Sequence, residues 1–88
     1  MATAETGHEI ERFLLIKEVQ SILGRSHASV YRDIEQGILT KPIKIGAGWR
    51  VGWPSSEISA IRRALVRGST QSEIRALVTT LHLHRKQS

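Results

Sequence analysis

Residues Ile16–Gly37 read IKEVQSILGRSHASVYRDIEQG, and this stretch decides the fold. From Lys17 the apolar residues Val19, Ile22 and Leu23 recur at helical spacing, and Gly24 is the residue type that closes a helix in the left-handed conformation. A first helix of about two turns is expected there. Ser26 is a good N-cap for a second helix over His27–Gln36; Val30, Tyr31 and Ile34 fall on its apolar face, and Gly37 stops it. Two short helices joined by a tight Gly-Arg turn make a helix-turn-helix. Such a pair buries little alone and needs a third element across its apolar sides.

The chain beyond Gly37 supplies two such elements. Ile43-Lys44-Ile45, then Gly46-Ala47-Gly48, then Trp49-Arg50-Val51-Gly52-Trp53 reads as strand, glycine-rich turn and strand. Alternation places Ile43 and Ile45 on one face and Lys44 on the other, and sets Trp49, Val51 and Trp53 together on the return strand, with Arg50 beside Lys44 in a simple register. Trp53, at the junction with the next helix, is expected in the core. Trp49, next to the turn, is either packed or a stacking platform for bases.

The second element is a helix starting at Pro54, with Ser55 or Ser56 as cap and Glu57 in the first turn, where negative charge suits the helix dipole. Ile58, Ile61, Ala64 and Leu65 form its apolar stripe, and Gly68 ends it. Thr70-Gln71-Ser72-Glu73 is then a capping-box pattern opening a last helix with Ile74, Leu77, Val78 and Leu81 at helical spacing. That stripe either folds back on the domain or meets a second copy of the chain. Self-association is the favoured expectation, because a short recognition helix gains specificity by multiplied contacts.

The expected architecture is mainly α with a small β-hairpin: a winged helix-turn-helix over residues 12–67, a flexible polar arm over 1–11, and a C-terminal amphipathic helix with a tail over 68–88. Arg12–Ile16 is a short apolar lead-in. Eighty-eight residues give one small domain with a modest core and little room for a deep substrate cleft, so an enzyme is not expected. No cysteine is present, which excludes disulfides and thiolate zinc sites. His82-x-His84 does not share a helical face and has no completing ligand, so neither a metal nor another cofactor is expected. Without a secretory signal pattern or an apolar membrane span, the expected location is the cytoplasm.

Charge then narrows the partner. The net charge is +5, with net charges of −3 over residues 1–11, +6 over 12–67 and +2 over 68–88. The positive field therefore coincides with the helix pair and hairpin, which favours a polyanion. In a helix-turn-helix the second helix enters the major groove with its N-terminal residues nearest the bases. The side opposite Val30 and Ile34 carries Ala28, Arg32, Glu35 and Gln36, with Ser29 flanking. Arg32 can bond guanine bidentately or clamp a phosphate, Ser29 and His27 can bond either, and Ala28 permits close approach or meets a thymine methyl. The full candidate set is Arg25, Ser26, His27, Ala28, Ser29, Tyr31, Arg32 and Gln36, joined by Lys41, Lys44 and Arg50 of the hairpin. Between Gly37 and Trp53 there is no acid, so the wing suits a phosphate backbone or a minor groove.

Arg12-Phe13-Leu14-Leu15-Ile16-Lys17-Glu18-Val19, Leu23-Gly24-Arg25-Ser26 through Val30-Tyr31-Arg32, Lys41-Pro42-Ile43-Lys44-Ile45-Gly46 and Val51-Gly52-Trp53 together resemble the AlpA family. That family comprises small winged-helix regulators and excisionases of phages and integrative elements, related to the DNA-binding domain of MerR-type regulators. The resemblance spans about residues 12–66. It implies double-stranded DNA binding that activates transcription, or bends attachment-site DNA so that a partner integrase excises the element. Where the family pattern carries an arginine and then a hydroxyl residue, this chain has His27 and Ala28, so the base preference does not carry over at those positions. The alternative from another class is a protein–protein adaptor that docks a partner on the C-terminal amphipathic helix.

Overall fold

A computed structural model describes residues 11–87; most of the polar arm expected over 1–11 lies outside them. The chain folds as a winged helix-turn-helix with a C-terminal helix. Its elements are β1 (Phe13–Leu14), α1 (Ile16–Leu23), α2 (His27–Glu35), β2 (Ile43–Lys44), β3 (Val51–Pro54), α3 (Ser55–Val66) and α4 (Gln71–Arg85).

Local signals set the two ends of the turn between α1 and α2. Gly24 adopts φ 65°, a left-handed conformation that favours glycine, and closes α1. Ser26 caps α2, its Oγ accepting the Ser29 N–H at 3.2 Å. Across the turn Arg25 grips Asp33 with two hydrogen bonds, Nε to Oδ2 at 3.0 Å and Nη2 to Oδ1 at 2.9 Å. This pairing corrects the face assignment within α2. Asp33 is buried, whereas Tyr31, expected beside Val30 and Ile34, is 40 % exposed. A carboxylate is tolerated there because Arg25 satisfies both oxygens.

The lead-in expected over Arg12–Ile16 contains a strand, and the wing is therefore a three-stranded antiparallel sheet in the order β1-β3-β2. Leu14 pairs with Trp53 and Phe13 with Pro54. On the other edge Ile43 pairs with Gly52 and Lys44 with Val51. Lys44 therefore does not lie beside Arg50; the Arg50 carbonyl instead accepts the Ile45 N–H at 3.0 Å, which closes the hairpin turn. Gly52 sits under both neighbours, where an added Cβ would come within 3.1 Å of the Leu14 carbonyl oxygen and 3.2 Å of Ile45 Cδ1.

Trp53, fully buried, is the centre of the core formed with Leu14, Val19, Val30, Leu39, Ile58, Ile61, Ala64, Ile74 and Val78. Its indole Nε1–H donates to the Thr40 carbonyl at 2.7 Å, tying the central strand to the segment that leads into the wing. The Thr40 hydroxyl beside it is the one buried polar side-chain atom among the described residues without a hydrogen-bond partner.

The start of α3 departs from expectation, since neither Ser55 nor Ser56 is its cap. Glu11, from before β1, does that work: its carboxylate accepts from Ser55 Oγ at 2.9 Å, Ser56 N–H at 3.0 Å and Ser56 Oγ at 2.6 Å. Burial opposes ionisation of Glu11, but these bonds from Ser56 and Ser55 outweigh it and hold the carboxyl below its ordinary value. Further along, Ile58, Ile61 and Ala64 are buried, but Leu65 is 49 % exposed and leaves the stripe.

The capping box at Thr70 forms as its pattern implies, with Thr70 Oγ1 accepting the Glu73 N–H and Glu73 Oε1 accepting the Thr70 N–H. The stripe of α4 packs inward: Ile74 and Val78 are in the core, and Leu77 and Leu81 lie against it. Self-association therefore loses the surface on which that expectation rested. Among the described residues no helix is long and apolar enough to cross a membrane.

Candidate nucleic-acid interface

With Val30 and Asp33 turned inward, the exposed residues of α2 and its C-cap are His27, Ala28, Tyr31, Arg32, Glu35 and Gln36. These positions recur as adjacent pairs every four residues, which at 3.6 residues per turn is one continuous stripe along the helix. Tyr31 thus joins the outward face, and its ring packs at a tilt against His27, with a centroid separation of 5.1 Å and an interplanar angle of 46°. The stripe presents hydrogen-bond donors and acceptors, one small side chain and one cation in a row, with the Glu35 carboxylate toward its C-terminal end.

Three of the sequence-selected residues are engaged in holding the helix. Arg25 is paired with Asp33, although 42 % of its side chain stays exposed. Ser26 is the cap, and its hydroxyl donates to Ser29 Oγ at 2.9 Å, which leaves Ser29 half-buried. Together they fix the start of α2, where the first N–H groups and the positive end of the helix dipole can meet an anion.

Lys44, Arg50 and the lysine side of the chain at Lys41 are exposed in the wing. The base of the wing is gripped from α4, a link with no local signature in the sequence. His82 Nε2 accepts the Lys41 N–H at 3.1 Å, and Arg85 Nη2 donates to the Lys41 carbonyl at 2.7 Å. Arg85 is itself held by Glu57 of α3 through two bonds of 2.7 Å. A third contact reaches the end of the recognition helix, where Arg75 Nε donates to the Gln36 carbonyl at 2.9 Å and answers the unpaired carbonyls that every helix end leaves. α4 therefore braces α2 and the wing separately.

His82 makes this brace pH-dependent. Burial, then the neighbouring Arg85 and Lys41 charges, lower its pKa below the ordinary 6.5, with Glu57 opposing. The folded state prefers the neutral ring, whose Nε2 can accept; an imidazolium cannot accept the Lys41 N–H. Its stabilising contribution is therefore complete above about pH 6.5 and is lost as pH falls through the depressed folded-state value. Thermal melts at pH 7.5 and 5.5 are expected to show a larger loss on acidification for the native chain than for His82→Gln; equal losses would remove His82 as the cause.

In comparisons with known proteins, the family model described as "Prophage CP4-57 regulatory protein (AlpA)" matches residues 12–60. No curated protein and no solved structure matches the chain. The matched span runs from β1 through both helices of the helix-turn-helix and the whole wing into α3, and leaves α4 outside. It covers more than half of the sequence and all the elements that carry the exposed stripe and the basic hairpin. The chain belongs to the AlpA family of prophage regulatory proteins.

Proposed function

We propose that this protein binds double-stranded DNA in a sequence-specific manner as a cytoplasmic regulator of a phage or integrative element, acting as an excisionase, a transcription regulator or both. The observation that carries this reading is the continuous α2 stripe of His27, Ala28, Tyr31 and Arg32 on a helix-turn-helix whose wing is basic and free of acids. Arg32 reads a base edge, with His27 and Tyr31 beside it. Lys44 and Arg50 contact phosphates, and Arg25, exposed at the start of α2, approaches the backbone there.

A helix of nine residues spans few base pairs, so more than one copy occupies a site, and in the excisionase role the partner is an integrase. The adaptor reading draws no support from α4, whose apolar stripe is packed against the core.

Gel-shift titrations against duplex from the element's own promoter and attachment region, with random duplex as control, test the proposal. Arg32→Ala is expected to weaken binding to the cognate duplex by about 10-fold to 100-fold and to random duplex much less. Lys44→Ala and Arg50→Ala are expected to weaken both, each lowering the salt slope by about one. Equal losses on both duplexes for Arg32→Ala would argue against base readout. Absence of a retarded band at low salt would sink DNA binding altogether.

A further inference from the structure

Two tryptophans in this chain have opposite fates: Trp53 is fully buried, while Trp49 is 97 % exposed at the tip of the wing. Leaving the largest apolar side chain in water forgoes its burial, which a folded chain ordinarily avoids. The turn is built to present it. Gly46 and Gly48 adopt φ 88° and 83°, conformations that favour glycine, and no atom lies within 4 Å of where a Cβ would stand on either. With only Ala47 between them, the tip carries no side chain larger than a methyl except the indole. The backbone there can approach a groove floor closely.

The surroundings of Trp49 select the occupant. It shares a shallow hollow with Lys44, Gly48 and Val51, and Arg50 follows it in the chain. Cations and no acids around a free aromatic plane match a ligand that presents both phosphates and flat π-faces. A pocket on a protein partner would explain the aromatic plane but not the one-sided charge.

We propose that Trp49 is a wedge, which inserts from the minor groove between two base pairs of the bound duplex and kinks it, while Lys44 and Arg50 hold the flanking phosphates. Apolar side chains used in this way unstack a step and bend the helix, and pyrimidine–purine steps yield most easily. The inference rests on the DNA-binding reading above and deepens it by naming the residue that enters the duplex from the wing and a preference for flexible steps there.

The full-length chain with Trp49→Ala and Trp49→Phe provides the test, on the same cognate and random duplexes. Trp49 is outside the core, so both variants are expected to melt as the native chain does. Trp49→Ala is expected to bind cognate duplex about 10-fold to 100-fold more weakly, with Trp49→Phe retaining most of the affinity. Energy transfer between dyes at the duplex ends is expected to report a bend with the native chain and little with Trp49→Ala. The exposed indole's emission is expected to be quenched in the saturated complex, against the unchanged contribution of buried Trp53. Native affinity and bend in Trp49→Ala overturn the wedge and leave DNA binding standing. Unquenched Trp49 emission at saturation, or tighter binding to single strands than to duplex, overturns it equally. A native chain that shifts no duplex defeats both readings together.

Discussion

Trp53→Ala is expected to remove the larger part of the chain's folding stability. Trp53 is fully buried at the centre of the core, and removing a side chain of this size from such a site costs about 3–5 kcal/mol. The change also strands the Thr40 carbonyl, which now accepts the indole N–H at 2.7 Å, in a residue with no solvent exposure. A domain of this length holds only about 5–10 kcal/mol in total. The melting temperature should therefore fall by at least about 15 °C. Trp53→Phe separates the two contributions: it keeps most of the apolar contact, loses the hydrogen bond, and is expected to cost about 1–2 kcal/mol from the unpaired carbonyl, plus the smaller loss of volume. A Trp53→Ala variant melting within a few degrees of the native chain would show that the core does not depend on this ring.

Arg85→Ala is the second large effect, and its size comes from what it leaves behind. The Glu57 carboxylate side chain is only 6 % exposed and receives both Arg85 hydrogen bonds. Breaking a buried pair by deleting one partner costs about 3–5 kcal/mol, and the partial exposure of Arg85 reduces this to about 2–4 kcal/mol. The isolated charge, more than the lost attraction, is the cause. Glu57→Gln in the same chain as Arg85→Met is therefore expected to recover much of the loss, because no charge is then stranded. Denaturant unfolding of Arg85→Met, of Glu57→Gln and of the double variant measures this directly. A double variant as unstable as the sum of the singles would contradict the stranded-charge account. Arg85 also holds the Lys41 carbonyl, so its removal is expected to weaken duplex binding as well as stability.

How far each feature was legible follows from the range of the interactions that make it. Gly24, Ser26 and the Thr70/Glu73 box act within one turn of their own helices, so their residue types announce them. The basic wing was legible for the same reason, since alternation and the Gly46-Ala47-Gly48 turn are local. Tyr31 and Asp33 were not. Their periodicity permits either to face inward, and Arg25, eight residues before Asp33, tips the choice. The first strand was hidden because Phe13–Leu14 becomes β only by pairing with β3, some forty residues later. The true cap of α3 escaped as well, because Ser55 and Ser56 have the right chemistry and only proximity reveals Glu11.

The helix-turn-helix with its wing was determined by the sequence itself, through apolar spacing, caps and turn glycines that each act over a few residues. Tertiary structure alone decided the role of the segment after Gly68. A stripe of Ile74, Leu77, Val78 and Leu81 suits a second copy or the chain's own core equally well, because periodicity records that a face is apolar and not what covers it. The arbiters were Arg85 with Glu57, Arg75 with the Gln36 carbonyl and His82 with the Lys41 N–H, groups 28, 39 and 41 residues apart that only the folded chain brings together. Their polar contacts fix α4 against α3, the end of α2 and the base of the wing, and its apolar face is buried there as a result.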